Sequence, residues 1–486
     1  MIILTLILGF FTYLLIDYIF KIWRERKPGT VPRPFPLPII GNLHLIGVYM
    51  HMDFASLSKK YGEVFAFHLG PQKHVVVSGA KSIKEVLVEK GTHFAGRPLE
   101  NIKLDIASSG YKDMLAADYG PRFKFMRRVF ARGLNLHGFN KMLIHDTIVR
   151  HADATIAHLQ EPNLIDPTRY VNLGIANVIM QMVFDTKLSF DDPLFENVLE
   201  CHRLIFNAIK PGPEDVFKWL KYFPNKNIRN VKVGNRMRMK ILDGFIEEHR
   251  ASYKHGTIRD VTDAMIAAEA EELENGGDRL DKVTFKMLIM DIFSGGMETS
   301  STTILWIMIY LAKYPKIQSK MRDELNNVDL ENLDKDTDKI SALSYTHSVI
   351  QEVQRMACVA ATFPHKATRD TTICGFNVAK DTPLLVNFYG GMYDENVFTA
   401  PKEFNPERWI NSEGEFEPNT STMLPFSAGP RGCPGKSLAV MIVFVFVIRI
   451  VRQFSLEEID GQSNSLDAEF GLTLAPNNPK LNICRV

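Results

Sequence analysis

Cys433 sits in the run Pro425-Phe426-Ser427-Ala428-Gly429-Pro430-Arg431-Gly432-Cys433-Pro434-Gly435, where one thiol is flanked at fixed intervals by an aromatic ring, a guanidinium and glycines. A thiolate is a soft anionic metal ligand, an aromatic ring can cover a flat macrocycle, and an arginine pairs with a carboxylate. The spacing therefore predicts a loop that wraps a haem. Phe426 covers the porphyrin face, Gly429 permits the turn, Arg431 meets a propionate, Cys433 reaches the iron and Gly435 follows. A lone cysteine is by default a small buried hydrophobe. Its neighbours are what set Cys433 apart.

A second constellation is Asp291-Ile292-Phe293-Ser294-Gly295-Gly296-Met297-Glu298-Thr299-Ser300. Two adjacent glycines inside a helical pattern cost about 1 kcal/mol each relative to alanine, so they call for a reason. Gly295 and Gly296 would let a flat cofactor approach the backbone and let water enter the helical ladder. Glu298 and Thr299 follow as an acid and an alcohol able to pass protons. A third set is Glu352 and Arg355, three apart on one helix face, with a further guanidinium, Arg408, in Phe404-Asn405-Pro406-Glu407-Arg408-Trp409.

These residues need a mostly helical frame. Helical periodicity runs through 82–89, 195–208, 237–248 and 283–314, and Val440 to Ile448 is an apolar run too short to cross a bilayer. Two hairpins are expected at the periphery: 64–69 with 74–78, and 471–475 with 480–483 across the turn Pro476-Asn477-Asn478-Pro479. The charged stretch Glu271 to Asp281 reads as a solvated loop. The fold class is mainly α with small peripheral β-sheets.

The chain of 486 residues is 45% hydrophobic with a net charge of +1, so it can bury a large core and has no charge bias toward nucleic acid. Its cysteines, Cys201, Cys358, Cys374, Cys433 and Cys484, are odd in number and lack the C-x-x-C spacing. That argues against a disulfide scaffold or a zinc ribbon and for a reducing compartment. Residues 1–20 are apolar apart from Thr5, Thr12, Asp17 and tyrosines, and Lys21, Arg24, Arg26 and Lys27 follow. This pattern predicts a transmembrane signal anchor with the body on the cytosolic side. Residues 21–42 form a basic stop-transfer and proline-rich hinge carrying Pro28, Pro32, Pro34, Pro36 and Pro38, and 43–486 form the haem-thiolate domain.

The Cys433 loop, with Leu438 and Ala439 opening the next helix, resembles the haem-binding loop of the cytochrome P-450 superfamily, and the resemblance extends over essentially the whole chain. The glycine-rich helix is similar to the family's oxygen-binding helix, although Gly295 replaces an alanine and Met297 a common threonine. Such a resemblance implies the cytochrome P-450 fold, haem b, and a microsomal monooxygenase of the drug-, steroid- or fatty-acid-oxidising kind on the endoplasmic reticulum membrane. It implies further propionate partners at Arg97, Arg127 and His365, with Phe123 where the family commonly has a tryptophan. It also implies a Glu352–Arg355–Arg408 network that seats the haem loop, and a small apolar substrate near Ile106, Phe293, Gly295, Gly296, Val359, Phe363, Leu472 and Leu474. No dinucleotide or flavin motif is present, so NADPH and flavins would act only through a separate NADPH–cytochrome P-450 reductase, with cytochrome b5 as a second donor and membrane lipid as a contact. Arg122, Lys124, Arg127, Arg128 and Arg132 offer a cationic face for that reductase, or a merely solvated one. Two other readings keep the haem: an isomerase or dehydratase of lipid peroxides, and a non-catalytic sensor.

Overall fold

The computed structural model describes residues 12, 16, 18–20, 29–138, 141–161, 166–189, 191–276, 279–328, 340, 342–418, 421–459 and 464–486. Helices dominate: α1 (Ile102–Ala107), α2 (Pro121–Gly138), α3 (Lys141–Leu159), α4 (Thr168–Phe184), α5 (Pro193–Ile209), α6 (Lys226–Ser252), α7 (Val261–Glu274), α8 (Lys282–Lys313), α9 (Ser344–Ala357) and α10 (Lys436–Gln453). Strands β1 (Val64–Leu69), β2 (Gln72–Val77), β3 (Thr362–Lys366), β4 (Thr371–Ile373), β5 (Phe376–Val378), β6 (Pro383–Asn387), β7 (Phe454–Glu458), β8 (Ala468–Phe470), β9 (Leu474–Pro476) and β10 (Leu481–Arg485) lie around them.

Local chemistry sets the helix ends. Asp192 caps α5 by accepting from the Leu194 amide, with Pro193 in the first turn. Asp281 caps α8 through the Val283 and Thr284 amides. Helix α8 is apolar on all sides over its last turns, 304–312, where Ile304, Trp306, Ile309 and Leu311 are all buried. A helix apolar all round belongs in a core. It crosses the molecule beside α4 and α10, and its axis carries the glycine pair to the centre.

The principal sheet has the order β1-β2-β6-β3. Here β1 and β2 pair antiparallel, as the sequence pattern predicts, with Val64 opposite Val77. At the C-terminus the expected hairpin does not form. Strand β9 pairs back onto β8 through the turn at Gly471, and β10 pairs with β7 instead. Pro476 and Pro479 bracket the intervening turn and donate no amide, so a ladder cannot continue across it.

The stretch 271–281 also differs from a solvated loop. Glu271 and Glu272 lie in the last turns of α7, where they pair with Arg132 and Arg128 of α2. Asp281 pairs with Arg122 at 2.9 Å while capping α8.

The anchor expected over 1–20 and its basic flank at 21–28 lie outside the described residues, apart from 12, 16 and 18–20. Among the described residues no helix is long and apolar enough to cross a membrane. The proline-rich segment docks on the body: the Pro32 carbonyl accepts from the Ala66 amide, and Gly41 bridges to Leu69 of β1.

Candidate active site

The Cys433 loop is a tight turn. Residues 429–431 make one short 3-10 turn, the Cys433 amide donates to the Phe426 carbonyl at 2.9 Å, and α10 begins at Lys436. Gly429 has φ 63°, and a Cβ there would be driven into the Leu87 carbonyl, so both the backbone and the space demand glycine. Burial pushes the Cys433 thiol up, opposed by the Gly435 amide and the charges of Arg127 and Lys436. Yet Cys433 itself is exposed. The thiol is thus crowded by protein atoms and still open to a ligand.

Cations gather beside this loop. Arg431 donates to the carbonyls of Ala95, Met114 and Ala117, and its guanidinium lies 3.9 Å from the centroid of Phe123. Arg97 donates to the Leu115 and Pro364 carbonyls, Arg127 to the Gly432 carbonyl at 2.7 Å, and His365 Nδ1 lies 2.8 Å from the Phe94 carbonyl oxygen. Burial, then mutual repulsion with Arg97, brings Arg431 down to about 8. Burial brings Arg97 down to about 10 and His365 well below the ordinary imidazole range. Asp118, half-buried beside the cluster, is already paired with Lys366 at 2.6 Å. Buried positive charge of this density is destabilised unless an anion joins it. The donor set fits a flat group with two carboxylates, and the open thiol beside it fits that group's iron.

On α8 the glycines divide their work. A Cβ on Gly296 would come 2.8 Å from Ile179 of α4, so this glycine sets how closely two helices approach. At Gly295 a Cβ would meet nothing within 4 Å, which marks the open side of the helix. Thr299 Oγ1 donates to the Gly295 carbonyl at 2.7 Å. Glu298 points elsewhere: Oε2 lies 2.5 Å from His202 Nε2 of α5, and Oε1 accepts from Thr473 Oγ1 at 2.8 Å. Burial alone would raise its carboxyl, but His202 and Thr473 outweigh that and hold it below the usual carboxylate range. Neither partner carries a sequence signal, since each becomes a neighbour only through the tertiary fold.

Glu352 is fully buried and ties three segments together. Arg355 meets both of its oxygens at 2.8 and 2.9 Å, Arg408 Nε donates at 2.9 Å, and the Trp409 indole donates at 2.9 Å. Arg355 also donates to the carbonyls of Met392 and Pro401. The indole of Trp409 is a member that sequence reasoning missed, although it directly follows Arg408.

The expected pocket residues spread along the interior. Phe293 lies one turn before the glycines on α8, and Ile106 packs with Ile205, Ala208 and Val231 between α1, α5 and α6. Phe363 in β3 sits under Arg97. The Leu474 amide donates to the Val359 carbonyl at 2.8 Å, while the Leu474 carbonyl accepts from the Trp306 indole at 2.9 Å. The turn carrying Leu472 is thereby tied to α8 and to the segment after α9.

Comparison with known proteins gives this arrangement its family. The family description for cytochrome P450 matches residues 31–483. The chain is 30% identical to a steroid 17-alpha-hydroxylase/17,20 lyase of Squalus acanthias over 474 residues, covering 95% of this chain and 93% of that protein. It is 32% identical over 475 residues to the protein of the same name from Rana dybowskii, at 93% and 91% coverage. Against cytochrome P450 2F5 of Gorilla gorilla gorilla it is 32% identical over 445 residues, covering 90% and 89%. With the thiol loop, the cation cluster and the glycine-bearing helix in one interior, the chain belongs to the cytochrome P450 family and is a monooxygenase whose cofactor is haem b.

Proposed function

We propose that this monooxygenase inserts one oxygen atom from O2 into a small apolar substrate, a xenobiotic, fatty acid or steroid, using NADPH electrons passed on by a separate NADPH–cytochrome P-450 reductase. The observation that carries the reading is Cys433: a free, exposed thiol on a tight loop, within the charge field of Arg127. Bound haem b supplies the one-electron and O2 chemistry. The Cys433 thiolate would hold its iron, Phe426 would pack against the ring, and Gly429 and Gly435 would let the loop close. Arg97, Arg127, Arg431 and His365 would hold its carboxylates.

The chain's own work is positioning and proton management. Glu352, Arg355 and Arg408 fix the segment beneath the loop and take no part in chemistry. Thr299 moves a proton at Oγ1, which means leaving the Gly295 carbonyl. Glu298 takes one up at Oε2, which means parting from His202. Apolar residues 106, 293, 359, 363, 472 and 474 exclude water and orient the substrate. The body sits on the endoplasmic reticulum membrane through an anchor in residues 1–20, supported by the apolar run and by Lys21, Arg24, Arg26 and Lys27 after it.

The test is Cys433→Ser. The wild-type protein shows the long-wavelength Soret band of the reduced carbonyl complex and forms product only with NADPH and reductase. The variant loses the band and the turnover. A band that survived the substitution would sink the ligand assignment.

A further inference from the structure

Both carboxylate oxygens of Glu298 are occupied by groups from outside α8. Oε1 accepts from Thr473 Oγ1 at 2.8 Å, and Oε2 lies 2.5 Å from His202 Nε2. These partners hold the carboxyl below the usual carboxylate range, so it is an anion at neutral pH and the hydrogen between the two side chains sits on Nε2. The imidazole is itself fixed in place: Phe206, one turn further along α5, stacks on it at 4.0 Å with 22° between the planes. Its other nitrogen is open. Among the described residues Nδ1 has no hydrogen-bond partner, yet it is not sealed in the protein, and 12% of the side chain is exposed.

Imidazole can take up a proton at one atom and give another from a second, which suits it to pass protons near neutral pH. A proton that reaches Oε2 either displaces His202 or comes from it. Two charges bear on the ring. Glu298 lies against Nε2 and favours a positive ring, whereas Arg238 of α6, 6% exposed, borders the same small interior gap and opposes it. Cys201 lines that gap too, but burial pushes its thiol up to about 11 and it stays neutral. The remaining charges nearby are already matched. Arg203 is bidentate to Glu200 at 2.8 Å, Lys210 pairs with Glu469 of β8, and Lys103 of α1 pairs with Glu214 and Asp215.

We propose that His202 is the positioning residue that reloads Glu298: Nδ1 takes a proton from water, Nε2 gives its own to Oε2, and the neutral carboxyl then parts from the ring. One N–H bond forms, one breaks, and no electron moves. The ring returns to its starting tautomer by exchange with water. The inference deepens the monooxygenase reading and rests on it for the proton role of Glu298 and Thr299. His202 lies 96 positions before Glu298 and meets it only in the folded chain.

The experiment joins two measurements on the full-length holoprotein. NMR of protein labelled with 13C at histidine Cε1 follows each imidazole across pH, and the resonance that vanishes in His202→Gln belongs to His202. Reductase-driven turnover without added substrate gives the share of consumed O2 that becomes water, the remainder leaving as hydrogen peroxide. In wild-type protein the water share falls with rising pH along the His202 titration. His202→Gln, which keeps a donor for Glu298 but neither gains nor loses a proton, makes roughly tenfold less water, with no pH dependence across that interval. A purely structural tie between α5 and α8 would survive this substitution with level and profile intact. That result, or a wild-type profile that does not follow the His202 titration, overturns the proposal. Should His202→Gln fail to fold, Glu298→Gln identifies the resonance instead, as the one whose titration moves, and a wild-type water share that does not follow it overturns the proposal. An undiminished water share in Glu298→Gln would end the proton role of Glu298, and that of His202 with it. A defect in Glu298→Gln without one in His202→Gln overturns His202 alone.

Discussion

Gly429 shows how a single residue can be required twice, by its φ of 63° and by the Leu87 carbonyl that faces it. Gly429→Ala loses about 1–3 kcal/mol from backbone strain alone. The loss is read as a lower thermal midpoint and less haem bound per chain. Asp113 offers a second test. Its Oδ1 accepts from the Ala116 amide at 2.7 Å, yet burial lifts its carboxyl to about 6 from an ordinary 3.8. The folded state therefore holds this proton more tightly than the unfolded chain. Asp113 weakens the protein at neutral pH, and that penalty is relieved as pH falls from above 6 toward 3.8. Asp113→Asn, which keeps the acceptor, melts higher than wild type near pH 7, and the gap closes on acidification. Thermal melts across that window check it. The Cys433 loop was legible at this scale because its residues adjoin in sequence. Arg238, Asp113 and His202 were not, because their burial comes from elements far away in the chain.

At the scale of elements, a short sequence interval and a long one behave differently. The pairing of Glu352 with Arg355 follows from helical spacing, whereas Arg408 and Trp409 join only when the segment after β6 folds under α9. Glu352→Gln leaves two guanidiniums without their anion. It costs about 3–5 kcal/mol, measured as a lower denaturation midpoint together with weaker haem retention. Helix α8 was readable from 283 to 314 because its helical periodicity is sustained over about eight turns, whereas its Asp281 cap was read as part of a solvated loop. The C-terminal strands were misread for the opposite reason. Their turn signal is real, but a turn states where a chain reverses and not which strand it then pairs with.

Across the whole molecule, the basic stretch of α2 is largely matched from within. Arg122 pairs with Asp281, Arg132 with Glu271, and Arg128 lies 3.6 Å from Glu272. Charges already neutralised at short range contribute little at a distance. Arg122→Gln, Arg128→Gln and Arg132→Gln each leave the salt dependence of reductase-driven haem reduction nearly unchanged, with rates within about twofold. A clear drop in the salt slope for any of them would restore that face as a steering surface. The acidic residues of α7 that cancel it were visible in the sequence, but their registry against α2 was not.

The turn at residues 471–474 has a consequence in time. Thr473 holds Glu298, and Leu474 receives the Trp306 indole while bonding Val359. Thr473 follows Glu298 by 175 positions, so in a chain made from its N-terminus this turn emerges well after the central helix that it braces. The helix therefore waits, in each newly made chain, for these residues before its final wall is in place. A chain interrupted between α10 and this turn would keep its cysteine loop and still lack a closed chamber.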